Sequence, residues 1–169
     1  MNSSEVLTDG FGRVAEIVRS TLRNATSDEL TFRPDPEANT VAWLIWHIAR
    51  VQDAQIADVA NDEDVWIAGG WVEKFRLPFE RRATGYGMSA ADVAKVPGDV
   101  GLLGDYFEAV HQKSIEYLGG LGDDDLDRVV DEAWNPPVTL GVRLISVLND
   151  VAQHVGQASY VKGLAGRAG

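Results

Sequence analysis

Apolar side chains recur at three- and four-residue steps across residues 5–24, where Val6, Val14, Ala15, Ile17, Val18 and Leu22 form a stripe between charged positions. That period predicts a first helix with this stripe facing inward. "SDELTFRPDPEANT" then supplies two prolines and an Asn-Thr start signal, so the chain turns before a second helix over 40–60. The second helix opens with "VAWLIWHIARVQDAQ", apolar almost all round, which is the pattern of a helix enclosed by its neighbours. Residues 61–88, "NDEDVWIAGGWVEKFRLPFERRATGYGM", mix aromatics, glycines and a proline without a sustained period. They read as a long ordered loop with one helical turn. A third helix is predicted over about 99–119 between "KVPG" and "GGLGDDD", with Leu102, Leu103, Tyr106, Val110 and Tyr117 inward. After "WNPPVTL" a fourth runs over about 139–164. Leu44 and Leu148 are expected to face the core.

The fold expected is therefore an all-α four-helix bundle, one domain over residues 1–169, with the long loop between helices two and three. A faint internal echo, "SDEL…NTVAWLI" against "DDDL…VTLGVRLI", makes helices two and four counterparts in two halves.

Composition narrows the function classes. The formal net charge is −11, from 26 acidic and 15 basic side chains, which repels a phosphate backbone and argues against a nucleic-acid partner. No apolar run approaches the roughly 18 residues of a spanning helix, and the N-terminus lacks a basic and then apolar leader, so the expectation is a cytoplasmic protein without a membrane segment. There is no cysteine. Thiolate ligands, redox dithiols and a cysteine nucleophile are all excluded, and any sulfur chemistry must use a thiol from outside the chain.

Helix four contains "VLNDVAQHVGQASY", in which Asp150 and His154 lie four apart and project from one face among Val147, Leu148, Val151 and Val155. A carboxylate and an imidazole at that spacing can share one metal ion, and a histidine from a facing helix completes a two-histidine, one-carboxylate set. His47, set in the apolar second helix, is the candidate. The same residues also suit an ion pair and a hydrogen-bonded core histidine, so spacing alone leaves both readings open. "EAVH" at Glu108–His111 is a single Glu-x-x-His unit where a di-iron bundle needs two, so His111 is assigned to the polar face of helix three. "GDDDLD" at 122–127 lacks the glycine and closing glutamate of a calcium loop and reads as a solvated helix start. Gly156, inside helix four, implies either a close backbone or ligand approach or tight helix packing.

"TVAWLIWHIARVQDAQ" and "DVAQHVGQASYVKGL" together resemble the DinB-like superfamily of metal-binding four-helix bundles, over nearly the whole chain. The resemblance implies one divalent ion, of zinc type, held by His47, Asp150 and His154. Many members carry histidine where this chain has Asp150; a carboxylate there is a feature of the mycothiol-dependent maleylpyruvate isomerase branch. "GWVEKFRLPFERRATGYGMSAADVAKV" and "WNPPVTLGVRLISVLNDVAQHVGQ" look most like actinobacterial members, among them the mycothiol S-transferases. What this implies is a metal-dependent enzyme that activates a small thiol, mycothiol, for attack on a small electrophile, working as a monomer or homodimer. Trp66, Trp71, Phe75 and Tyr86 of the long loop would roof the substrate pocket or simply pack over the bundle end, Arg81 and Arg82 would meet anionic groups, and Gln157 would orient a ligand or cap a buried carbonyl. Two rivals are a hydrolase acting through metal-bound water and a non-catalytic, stress-associated bundle.

Overall fold

Four side-chain oxygens start the four long helices of this protein, whose computed structural model describes residues 1–168. Asn2 begins α1 (Ser3–Leu22) with a reciprocal cap: its side chain accepts the Glu5 N–H while the Glu5 carboxylate accepts the Asn2 N–H. Thr40 caps α3 (Val41–Ala60) by accepting the Trp43 N–H at 3.0 Å. Asp99 does the same for α7 (Val100–Gly119) through Leu102, and Thr139 for α8 (Leu140–Ala165) through Val142. Each cap answers backbone donors that the first turn leaves unpaired. Between them lie the short helices α2 (Ser27–Thr31), α4 (Val65–Ala68), α5 (Trp71–Phe75) and α6 (Ala90–Val93), and a 3₁₀ turn at Asp123–Asp127. A small antiparallel hairpin, β1 (Val129–Asp131) with β2 (Val138–Thr139), leads directly into α8.

The long helices form the expected all-α bundle. α3 packs chiefly against α8 and α7, and α1 packs against the same two, so α1 stands opposite α3 and α7 opposite α8. In α3 every residue from Val41 to Arg50 is buried, as its all-round apolar opening requires. Among the described residues no helix is long and apolar enough to cross a membrane.

The inward stripe of α1 is Leu7, Phe11, Val14, Ala15, Val18 and Leu22. Val6 and Ile17 were expected in it but are 53% and 40% exposed, because each sits one residue off the stripe and so is turned about 100° away from the core. In α7, Leu103, Tyr106 and Val110 are buried as expected, while Leu102 and Tyr117 are only partly covered. The echo between the two halves has a structural form, since a short turn followed by a threonine-capped helix occurs at both places.

The segment 61–88 holds two helical turns, α4 and α5, rather than one. Their placement comes from Arg50 on α3, whose guanidinium is fully buried. It donates to Asp53 at 3.2 Å, to the Tyr106 hydroxyl at 3.1 Å and to Asp64 at 3.4 Å, and it lies over the Trp66 ring. Asp53 accepts from the backbone N–H groups of Val65 and Trp66 and from the Tyr106 hydroxyl, all at 2.8 Å. Burial raises the Asp53 carboxyl above its usual range, and these donors and Arg50 oppose that rise.

Leu44 is 1% exposed at the centre of α3, so Leu44→Ala should cost about 2–5 kcal/mol of stability in urea unfolding. Leu148, half-buried against α1, should cost less.

Candidate metal centre

α3 and α8 lie side by side, and one turn of α3 and two of α8 supply the side chains that meet between them. His47 comes from α3; Asp150 and His154 come from successive turns of α8. One ligand atom from each of the three lies within 4.8 Å of the others. His47 Nε2 is 4.0 Å from Asp150 Oδ2, and His154 Nδ1 is 3.4 Å from the same oxygen. One ion with bonds of about 2 Å can be reached by all three after small side-chain adjustments.

The hydrogen bonds around the rings set their chemistry. His47 Nδ1 lies 2.5 Å from the Thr84 carbonyl, and His154 Nδ1 lies 2.8 Å from the Asp150 carbonyl. A carbonyl oxygen only accepts, so Nδ1 carries the proton in both rings and each Nε2 keeps a free lone pair. Metal-binding histidines are held in the same way, by an acceptor on the far nitrogen. The His47 ring stacks on Trp43 at 4.6 Å and meets the His154 ring edge-on at 4.6 Å, which fixes its plane. Burial lowers the His47 pKa below its usual value, opposed by its bond to Thr84; the nearby His154 adds to the lowering and Asp150 opposes it. The neutral ring is the form a metal needs.

Asp150 Oδ2 is buried and has no hydrogen-bond partner. An anionic oxygen in that condition is costly unless something positive answers it. With the lone pair of His47 Nε2 4.0 Å away and the His154 ring on the same side, the donor set fits a divalent cation.

A cavity of about 480 Å³ opens next to His47 and Asp150. Val51, Val138, Val142 and Val147 give it apolar walls, and Gln55, Thr84, Arg143 and Ser146 add polar groups. Tyr86 and Trp134, 95% and 66% exposed, stand along its lining. Arg143 is its cation, held by Gln55 at 2.8 Å and by Asp131 at 3.2 Å.

Of the expected substrate contacts, Tyr86 lines this cavity and the others lie elsewhere. Trp66, Trp71 and Phe75 pack on Tyr106 in a buried aromatic cluster between the 61–88 segment and α7. Arg81 is exposed and paired with Glu73, and Arg82 is exposed and reaches Asp64. Gln157 is exposed on α8 outside the cavity lining. Gly156 faces open space, so tight helix packing does not account for it. His111 is half-buried rather than on the polar face; it stacks on Phe107 and its Nδ1 has no partner, while neighbouring Glu108 holds Arg19 at 2.7 Å through both oxygens.

Arg143 was not singled out from the sequence, although its signal was there: Arg143, Val147, Asp150 and His154 share one helix face at steps of four, three and four. Gly85 was less legible. Its φ of +101° is a conformation other residues rarely adopt, and a Cβ there would lie 2.7 Å from His47 Nδ1. The pair of glycines in "TGYG" was its one signal.

A model of the DinB superfamily matches residues 11–158. The chain belongs to the DinB superfamily. The structure is also similar to a solved one, "Crystal structure of the conserved protein of locus from Enterococcus faecalis", with a TM-score of 0.90, 32% identity and 98% of each chain covered. No curated protein matches the chain. Both matches speak to the DinB superfamily, which includes enzymes, and not to a branch within it. The His47, Asp150 and His154 cluster is a group that could bind a metal, in keeping with DinB-like metal binding.

In elemental analysis of protein purified without chelator, Asp150→Ala and His154→Ala should each lower bound metal sharply, while His111→Ala should leave it unchanged. Equal loss in all three would overturn the ligand set. Gly85→Ala should destabilise the protein by about 1–3 kcal/mol through backbone strain, and should weaken metal uptake by pushing on His47.

Proposed function

We propose that this protein is a metal-dependent transferase that joins a small external thiol to a small electrophile. The observation that carries the reading is the convergence of His47, Asp150 and His154 beside an open cavity, in a chain with no cysteine of its own. A zinc-type ion, when bound by three protein ligands with a position to spare, deprotonates a thiol that it coordinates.

The chain's own residues divide the remaining work. His47 and His154 present bare Nε2 atoms because their Nδ1 protons are held by carbonyls. Val51, Val142 and Val147 give the wall beside the ligands an apolar surface on which the body of a small substrate can rest. Tyr86 and Trp134 offer flat faces, and Gln55 and Ser146 offer neutral polar groups, a lining suited to an uncharged polyhydroxylated body. Mycothiol, with its sugar–inositol body, is the thiol proposed on these grounds and on the sequence resemblance. The net charge of −11 disfavours a thiol with additional carboxylates such as glutathione.

The test is the initial rate of transfer to a haloarene or bimane with each thiol across a pH series. Mycothiol should be preferred, the apparent thiol pKa should fall below its free value of about 8.5, and chelation should abolish turnover until zinc is restored. Metal-dependent cleavage of an ester without thiol would instead assign the centre to hydrolysis.

A further inference from the structure

We propose that Arg50, which touches none of the three candidate ligands, is a positioning residue for His47, acting through the backbone at residues 83–85. The inference rests on the reading of His47 as a metal ligand, but its geometry stands independently. Arg50 lies three residues after His47 on α3, so the two side chains leave the same side of the helix. Arg50 Nε donates to the Ala83 carbonyl at 3.0 Å, and His47 Nδ1 donates to the next carbonyl, that of Thr84, at 2.5 Å. Gly85 follows, so close to the imidazole that it has no room for a Cβ. Two successive carbonyls of one strap are thus gripped by two side chains of a single helical turn.

The grip is rigid because the guanidinium cannot move. Its two terminal nitrogens are engaged by Asp53, Asp64 and Tyr106, and its face lies 5.1 Å from the centre of the Trp66 ring. Those contacts fix the 64–66 turn. The Nε–H is the donor left over, and it goes to the strap. A lysine would keep the buried charge yet lack the planar fork, so it cannot serve the acids and Ala83 with the same geometry. Without its anchor the Thr84 carbonyl can drift, the His47 proton is free to move to Nε2, and the lone pair is lost to a metal.

Three proteins separate this role from plain stabilisation: wild type, Arg50→Lys and Tyr106→Phe, the last removing hydrogen bonds to Arg50 and Asp53 but not the bond to Ala83. Each is measured for urea stability, for zinc affinity by chelator competition, and for the His47 tautomer by ¹⁵N NMR without metal at pH 8. Arg50→Lys should weaken zinc about 10–100-fold, as loss of a supporting contact to a ligating histidine does, and should mix the His47 tautomers. Tyr106→Phe should lose stability while keeping wild-type zinc affinity and a single Nδ1–H tautomer. Zinc affinity that falls in both in proportion to stability, or stays at wild-type strength in Arg50→Lys, overturns the proposal. Should Arg50→Lys not fold, Ala83→Gly loosens the strap without disturbing the buried charge. A mixed tautomer and weaker zinc binding there support the role, and no change in either sinks it. A wild-type protein that takes up no zinc defeats the metal reading alone, because the tautomer comparison still decides whether Arg50 sets the state of His47.

Discussion

A guanidinium withdrawn completely from water has to be answered by charges and acceptors arranged around it, and Arg50 imposes that requirement on this fold. Asp53 from the same helix, Asp64 from the following loop, Tyr106 from α7 and the Ala83 carbonyl all gather at one point. Three separate stretches of chain are thereby tied to α3. Asp53 extends the arrangement by receiving the first N–H groups of α4, so a helix of four residues forms where its own length could never support it. The aromatic cluster of Trp66, Phe75 and Tyr106 then closes over the ions and keeps solvent from them.

Bundle geometry explains why the ligand cluster falls where it does. α1 and α3 stand on one diagonal and α7 and α8 on the other, so the long contact between α3 and α8 runs alongside a face that α1 does not cover. On that face the imidazole of α3 meets the carboxylate and imidazole of α8, with the hairpin before α8 and the strap before α6 bordering the opening. His111, on α7, belongs to a different face and has a different environment.

The bundle was legible because its four long helices announce themselves twice, by apolar period and by a capping side chain at each start. The meeting of His47, Asp150 and His154 was legible too, since spacing of four on α8 and a histidine in an apolar helix are local facts. What could not be read was whatever depends on distant partners. α4 and α5 have no period to detect; Asp53, Asp64 and Arg50 hold α4, and the packing of Trp71 and Phe75 on Tyr106 holds α5. Trp66 and Trp71 resemble pocket residues in composition, but burial against Tyr106 turns them away from the cavity. Arg81 and Arg82 carry charge, which a sequence displays, but not its direction, and both point to nearby acids.

The three side chains of the cluster differ steeply in access: that of His47 is 6% exposed, that of His154 21% and that of Asp150 39%. A cation approaching this cluster from solvent would meet the carboxylate before either ring. The exposed negative end faces the same opening as the cavity, so a molecule lodged there would stand across the route to the stacked imidazole that the exposures favour.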